Sequence, residues 1–382
     1  MNVRGETGRV KRMLRWWMRS VVLGAVLLRT MPCAAQAGGA GSTSPAPPAA
    51  PDDTPAVKIG GTLFTDYTVI AAPAAKDADA NTIVPNAFNV GRTYINVTGR
   101  ISHLVSFRIT PDIFRESGAG SSLSGSYSFR LKYAYAQFTL GQSSAAASGT
   151  WVRLGLQQTP WVDFIEPIYR YRFQGMTFED REGFSSSSDA GLGFHTNLPG
   201  DRGDVEAGIY NGETYARPEV NDQKALMVRG TLRPLTGVPA LRGLRLSAFY
   251  DKDAYVRNAD RIRAIVAVTF EHKHLNAAFD HLAARDRTSS SVRAIDARGY
   301  SVWATPRVAH GWEGLIRFDH LQPDAVAPAT RNRTLGGMAY WFPHQGAVGA
   351  ALLLDAEVLR FRRFVMNPPT QRRFALHALV NF

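Results

Sequence analysis

From residue 57 onward the chain repeats one pattern, in which apolar and polar residues alternate over segments that end in turn residues. A period of two is typical of a β-strand whose two faces meet different surroundings. In 261–270, for example, Val266 and Val268 share one face, and Arg261 and Arg263 share the other. The pattern predicts strands over sixteen segments, which are 57–70, 88–101, 103–111, 127–141, 150–158, 188–198, 203–212, 223–234, 242–252, 261–271, 273–284, 292–305, 308–321, 332–343, 346–362 and 371–382.

The gaps between these segments alternate in length. The odd-numbered gaps are long and comprise 71–87, 112–126, 159–187, 213–222, 253–260, 285–291, 322–331 and 363–370. The even-numbered gaps are mostly short and include residues 102, 199–202, 272, 306–307 and 344–345. Bacterial membrane barrels combine an even strand number with short periplasmic turns and longer outer loops. We therefore predict an all-β protein, a transmembrane antiparallel up-and-down β-barrel of about 16 strands.

The charged strand faces are expected to line the inside of the barrel. Charge that faces hydrocarbon costs about 2–4 kcal/mol at the bilayer midplane, whereas the lumen is aqueous. Within 127–135 we expect Tyr127, Phe129, Leu131, Tyr133 and Tyr135 to face outward, opposite Arg130 and Lys132. The cations predicted to line a pore and bind anions are Arg92, Arg100, Arg108, Arg130, Lys132, Arg153, Arg229, Arg233, Arg261 and Arg263.

The third and longest gap, 159–187, is rich in charge. We predict that this third outer loop folds into the lumen and narrows it, since long loops in compact domains are usually functional. Its candidate constriction residues are Asp163, Glu166, Arg170, Arg172 and Arg181. The alternative is an ordinary surface loop.

The N-terminal 37 residues read as a cleavable export signal. A basic region precedes the short apolar run 21–28, and Ala35 and Ala37 form a small-x-small cleavage site. Residues 38–56 are rich in Pro, Ala, Gly and Ser and predict a flexible linker before the barrel at 57–382. Seven of the 44 basic and one of the 32 acidic residues lie in the signal. The remaining 37 basic and 31 acidic residues give a net charge of +6, which does not imply nucleic-acid binding.

The last segment alternates to its final residue, Phe382. A terminal aromatic residue on an amphipathic strand resembles the signal that outer-membrane barrel-assembly machinery reads. Together with the export signal, it predicts a protein of the outer membrane of a Gram-negative-type bacterium, in contact with that machinery and with outer-membrane lipid.

Several stretches resemble the phosphate-selective porin O and P family. The run from Arg92 to Asp112 looks like the early hairpin of that family, with its "FR-x-x-PD" ending, and Lys132-Tyr133-Ala134-Tyr135 looks like its "kdAy" strand. Residues 153–161 are similar to the family's "R-x-G-Q-x-K-x-P" segment, but Gln158 or Thr159 stands near its usual lysine. Residues 208–212 look like its "G-x-x-NG" strand end. The resemblance covers about 57–382 and implies a sixteen-stranded homotrimeric channel.

These observations predict a porin for passive diffusion of small hydrophilic or anionic solutes, with a preference for anions that could extend to phosphate. The alternative is a barrel that is not a channel, either an enzyme or a structural or adhesive protein. The sequence offers no nucleophile with an adjacent base. His272 and His274 lack an evident third metal ligand, and the only cysteine, Cys33, lies in the signal. We therefore predict no catalytic residue, metal or cofactor.

Overall fold

A computed structural model describes residues 53–118, 120–140, 149–254, 256–344 and 348–382. The predicted signal, and the predicted linker apart from its last four residues, lie outside these ranges. The described chain forms eighteen strands: β1 (Ala56–Ala72), β2 (Ala75–Lys76), β3 (Thr82–Ile83), β4 (Asn86–Arg100), β5 (Val105–Arg115), β6 (Tyr127–Thr139), β7 (Trp151–Gln158), β8 (Ser188–Asn197), β9 (Gly203–Tyr210), β10 (Ala225–Leu232), β11 (Leu244–Ala254), β12 (Asp260–His272), β13 (Leu275–Asp286), β14 (Ile295–Pro306), β15 (Trp312–Gln322), β16 (Thr330–Trp341), β17 (Gly349–Arg362) and β18 (Gln371–Asn381).

Sixteen of these strands close into one antiparallel barrel, which confirms the predicted fold. Each strand pairs with its neighbours in the order β1, β4 through β18, and β18 returns to β1. The closing pair runs from Thr62 opposite Asn381 to Ala72 opposite Arg372. Closure gives every strand a partner on both sides, so the barrel has no sheet edge with unpaired backbone groups.

The two strand faces differ in the way that the alternation predicts. In β12, Val266 and Val268 are exposed on the outer surface, whereas Arg263 and Thr269 are buried inside. The outer surface of the barrel carries many exposed large apolar side chains, and the buried charges lie on the inside. This arrangement matches a barrel that has lipid outside and polar groups within.

A β-bulge in β6 corrects one prediction. Thr110 pairs with Tyr133 but its neighbour Pro111 pairs with Leu131, so Lys132 is the extra residue. Because a bulge shifts the alternation by one residue, Tyr133 and Tyr135 face the lumen rather than the outside. Leu131, before the bulge, still faces outward and is exposed.

Two features of the gaps were not predicted. The first long gap contains the small hairpin β2–β3, which stands apart from the barrel sheet. The β14–β15 turn contains a short 3-10 helix, Ala309–Gly311, in which His310 has a positive φ of 62°. For this reason β15 begins at Trp312 rather than at the predicted residue 308. No helix in the described ranges is both long and apolar enough to span a membrane.

The end of the chain lies at the β1–β18 seam. Phe382 exchanges backbone hydrogen bonds with Gly61, at 2.9 and 3.0 Å. A Cβ atom at Gly61 would overlap the Phe382 ring, and one at Gly60 would overlap the Phe382 carbonyl oxygen. The two glycines therefore make room for the terminal residue. The role of Phe382 in assembly stays a prediction.

Gly203 at the start of β9 offers a test of backbone geometry. Its φ is +139°, and a Cβ atom there would overlap the carbonyl oxygen of Thr231 on β10. We expect Gly203→Ala to destabilise the barrel by about 1–3 kcal/mol, measured from urea unfolding midpoints of the refolded protein. Gly230→Ala is the matched control, because no atom lies within 4 Å of its added Cβ. Equal midpoints for the two variants would contradict this account.

Candidate functional site

The loop between β7 and β8, residues 159–187, folds into the barrel. It contains two helices, α1 (Pro160–Tyr169) and α2 (Phe178–Arg181). Proline at the first position suits the start of α1, because that residue needs no backbone N–H there. Trp161, Ile165 and Tyr169 recur every four residues and are buried on one face of α1. The Thr159 hydroxyl donates a hydrogen bond to the Ser186 carbonyl and so ties the two ends of the loop together.

Aromatic contacts fix α1 against one side of the lumen. The Trp161 ring centroid lies 6.0 Å from that of Phe249 on β11. The Tyr169 ring packs edge-on to Trp303 on β14 at 5.2 Å. Such pairs bury large apolar surfaces and add about 0.5–1.5 kcal/mol each beyond that burial.

Three buried wall arginines bind the backbone of the loop. Each donates a side-chain hydrogen bond to a loop carbonyl oxygen, as follows: Arg229 to Pro160 at 2.9 Å, Arg263 to Phe184 at 3.1 Å and Arg317 to Met176 at 2.8 Å. The Asn276 amide donates to the Ile168 carbonyl in the same way, at 2.8 Å. Loop carbonyls that would otherwise be buried without partners are thereby satisfied.

Carboxylates of the barrel wall accept hydrogen bonds from loop side chains. The contacts are Arg170 and Tyr171 to Glu313 at 2.9 and 3.0 Å, Gln174 to Asp355 at 2.9 Å and Arg181 to Glu357 at 3.0 Å. Glu313 lies on β15, and Asp355 and Glu357 lie on β17. The loop is therefore held against β10–β17, on one side of the barrel.

Three of the predicted pore-lining arginines are bound to carboxylates on that filled side. The ion pairs are Arg229 with Asp204 and Glu206 at 2.5 and 3.1 Å, Arg261 with Asp253 at 3.2 Å and Arg263 with Asp286 at 2.7 Å. Arg229 and Arg263 are also almost fully buried. Their donors are therefore engaged by carboxylates and by the loop.

Two other predicted residues lie at the end of the barrel that carries the short turns. Arg100 is the last residue of β4, is exposed, and donates to the Thr54 carbonyl at 3.3 Å. Arg233 follows β10 and pairs with Asp201 at 2.8 Å.

Two adjoining cavities, together called the passage below, remain in the lumen. The larger, of about 390 Å³, lies between α1 and strands β1 and β4–β7, and the smaller, of about 280 Å³, lies between the loop and strands β1 and β16–β18. Both are lined by Thr62, Phe64, Arg170, Arg172 and Trp341, so the two cavities adjoin. The larger reaches the base of the loop at Gln158 and Ser187, and the smaller reaches His344 and Val348.

Three cations on this open side have no carboxylate within 4.0 Å in the part of the chain that the structure describes. They are Arg108 on β5, Lys132 on β6 and Arg153 on β7. Arg108 donates to Asn96 at 2.9 Å, Lys132 to the Tyr94 hydroxyl at 3.1 Å and Arg153 to Gln137 at 2.8 Å. Neutral acceptors therefore orient these cations, and the acidic side chains that act on them, Asp163 and Glu166 of α1, lie beyond ion-pair distance.

Two further wall cations share one carboxylate. Arg92 and Arg130 contact Asp112 at 2.7 and 2.8 Å. Tyr215, from the loop between β9 and β10, accepts a hydrogen bond from Arg92 at 3.2 Å, and its ring lies 4.7 Å from the Arg130 guanidinium. Two arginines on one carboxylate leave this group with a net positive charge on the wall formed by β4–β6.

The predicted constriction residues divide between the passage and the filled side. Asp163, Glu166, Arg170 and Arg172 line the larger cavity, and Arg172 pairs with Glu166 at 2.5 Å. Arg181 instead contacts Glu357 on the filled side, where burial lowers the pKa of its guanidinium to about 10. Loss of surrounding water raises the pKa of the Asp163 carboxyl above its usual range, although Arg153 and Arg108 oppose this shift.

Sequence reasoning missed the aromatic residues of the passage. Phe64, Tyr94, Phe173 and Trp341 line its cavities, yet none was singled out as a candidate. Phe64 and Tyr94 each lie in an alternating strand, so their inward direction could have been inferred from register. Phe173 lies in the loop, and no periodicity in the sequence indicates its position.

The histidine pair that was considered for metal binding lies at the β12–β13 turn. The ring centroids of His272 and His274 are 5.4 Å apart. Across the described ranges, no three side chains of His, Cys, Asp or Glu come together as a metal site would require.

The chain is similar to solved structures of outer-membrane barrels. No family model matches the chain, and no curated protein matches it. Among solved structures, a loop L8 deletion mutant of OmpT, an outer membrane protein of Vibrio cholerae, is 13% identical, with a TM-score of 0.60 over 86% of this chain and 100% of that one. An anion-selective porin from Comamonas acidovorans is 12% identical, with a TM-score of 0.59 over 86% and 100%. The outer membrane channel DcaP of Acinetobacter baumannii is 12% identical, with a TM-score of 0.58 over 87% and 98%. At such low identity, the similarity shows a shared barrel fold.

Arg317 provides a test of how the loop is held. It forms a two-pronged pair with Asp319 at 2.8 Å and also donates to the Met176 carbonyl. We expect Arg317→Met to cost about 3–5 kcal/mol of stability, because Asp319 keeps a buried charge without its partner. The loop should also become cleavable by protease in the folded barrel.

Limited proteolysis with identification of the cut sites would measure this release. Arg245→Met is the matched control, because Arg245 pairs with Glu271 at 2.6 Å and forms no hydrogen bond to the loop. A loop as resistant in Arg317→Met as in the control would show that Arg317 is not an anchor.

Proposed function

We propose that this protein is an outer-membrane porin that lets small hydrophilic solutes diffuse passively and favours anions. The observation that carries the proposal is the larger cavity of the lumen, which Arg108 and Lys132 line and beside which Arg153 contacts the lining residue Gln158. None of these three cations has a carboxylate within 4.0 Å among the described residues. Uncompensated cations along a pore lower the electrostatic barrier for anions. The anion-selective barrel from Comamonas acidovorans supports this reading by its shared fold.

The loop side of the larger cavity carries both signs of charge, from Asp163, Glu166, Arg170 and Arg172, and Arg172 pairs with Glu166. The charged residues that the wall contributes to this cavity, Arg108 and Lys132, are both basic. An anion in the cavity is therefore attracted toward β5 and β6. The contacts have to be weak and several, since a single tight site would stop flux.

The membrane location and assembly belong to the same proposal. The apolar outer surface and closed backbone suit insertion in a bilayer, and the predicted export signal would deliver the chain to the outer membrane. One neighbouring structure, OmpT of Vibrio cholerae, is described in a trimer form, which supports a homotrimer here as well.

Removal of the uncompensated cations tests the anion preference. We expect Arg108→Gln and Arg153→Gln each to lower the permeability ratio of chloride to potassium by about two- to fivefold, since each deletes one unpaired positive charge at the passage. The measurement is the reversal potential in a KCl gradient across a planar bilayer. Arg233→Gln is the control, because that residue pairs with Asp201 at the barrel end. The proposed lining is wrong if all three variants keep the wild-type ratio.

The raised pKa of Asp163 predicts a pH dependence of the same ratio. As pH falls through that pKa, the carboxylate gains a proton and loses its negative charge, so the passage becomes more positive. Chloride preference should therefore rise as the pH is lowered, and the rise should begin above the pH range in which an ordinary aspartate gains its proton. Asp163→Asn should show high preference throughout and a flatter profile. Identical pH profiles for the variant and the wild type would refute the assignment to Asp163.

A further inference from the structure

The passage has an aromatic wall as well as a charged one. Phe64 on β1 packs edge-on to Tyr94 at 6.0 Å and lies 6.4 Å from Phe173 of the loop. Phe173 in turn packs edge-on to Trp341 on β16 at 6.0 Å. These four rings form a continuous aromatic cluster, of which Phe64, Tyr94 and Phe173 are largely buried. Their remaining edges border the cavities: Phe64 and Trp341 line both, Tyr94 lines the larger and Phe173 the smaller. Besides packing the loop against the wall, these rings offer an apolar contact that a compact inorganic anion cannot use.

The cations beside this surface are held in fixed orientations. The Arg108 guanidinium lies 4.4 Å over the Tyr133 ring, and its Nε and Nη2 donate to Thr110 and Asn96. Its Nη1 has no hydrogen-bond acceptor among the described residues. The Arg170 guanidinium lies 4.4 Å over Trp341 in the same manner. Each cation is therefore stacked on a ring, and the passage offers positive charge and aromatic surface side by side.

A solute that combines a negative group with a flat apolar body would use both features. A carboxylate can accept a charge-assisted hydrogen bond from a guanidinium edge. An attached aromatic ring can pack edge-on or offset against Phe64 or Phe173. Inorganic phosphate would use only the first contact, and an aliphatic carboxylate of similar size would pack less well on flat rings. The larger cavity, about 390 Å³, is of the size that holds small organic ligands.

We infer that the passage favours planar aromatic monocarboxylates over compact inorganic anions. This inference rests on the proposed porin function and names its solute class. Release remains fast because the aromatic contacts and the single carboxylate contact are each weak. The acidic side chains Asp163 and Glu166 on α1 would keep the carboxylate directed toward Arg108 on the wall.

The test is block of chloride current through the full-length protein in a planar bilayer. Four anions are compared at the same pH and at equal concentrations of negative charge: benzoate, cyclohexanecarboxylate, acetate and inorganic phosphate. We expect half-block by benzoate at a concentration about three- to tenfold lower than by cyclohexanecarboxylate, which has the same charge and a similar size but no flat ring. Acetate and phosphate should block less than either ring compound.

Variants assign the effect to the aromatic wall. In Phe64→Leu, the half-block concentrations of benzoate and cyclohexanecarboxylate should become nearly equal, so that their ratio is close to one. Phe173→Leu provides a second, independent test if one variant does not fold. Phe279→Leu is the control, because this ring is exposed on the outer face of β13, and it should keep the wild-type ratio. A ratio unchanged in both wall variants would overturn the inference.

The outcomes separate the inference from the function beneath it. Absence of chloride conductance in the folded wild-type protein would remove the proposed function itself. If chloride is conducted but all four anions block equally, or phosphate blocks most strongly, the proposed porin function is retained and the inferred preference for aromatic carboxylates is overturned.

Discussion

The structure depends on one requirement, which is that the backbone of a loop placed inside a barrel must find hydrogen-bond partners there. Arginine meets this requirement well, because its planar group carries five donors. One edge can bind a carboxylate of the wall while another donor reaches a loop carbonyl. Arg229, Arg263 and Arg317 all act in this way. A loop without such partners would leave polar groups buried and unpaired, at a cost of about 1–3 kcal/mol each.

The side on which the loop docks decides where the lumen stays open and where it stays charged. On β10–β17 many of the wall charges are paired with one another or with loop side chains such as Arg170 and Arg181. The strands β4–β7 have no docked helix against them and fewer carboxylates. Cations without an ion-pair partner are therefore found beside the passage, although arginines occur on both sides of the barrel.

Much of the fold could be predicted from the sequence, because a barrel strand shows its two faces as alternation and its ends as turn residues. All sixteen predicted segments overlap a barrel strand, and the loop at 159–187 does enter the lumen. The candidate site could be predicted from the sequence only in part. Alternation shows that Arg229 and Arg108 both face inward, but only the docked loop makes one an anchor and leaves the other facing the passage. Partners such as Glu313 for Arg170 are far apart in sequence, and no local pattern encodes them.

The bulge at Lys132 has a consequence for how such a pore can change. The extra residue places Lys132 and Tyr133 next to each other on the inside, so β6 presents more side chains to the lumen than a regular strand of its length. Downstream of the bulge, all inward positions are set by its location. Gain or loss of one residue in β6 would exchange the lumenal and lipid-facing sets over half a strand. The lining of this barrel can therefore be altered by a single insertion or deletion, without any substitution at the residues that a solute meets.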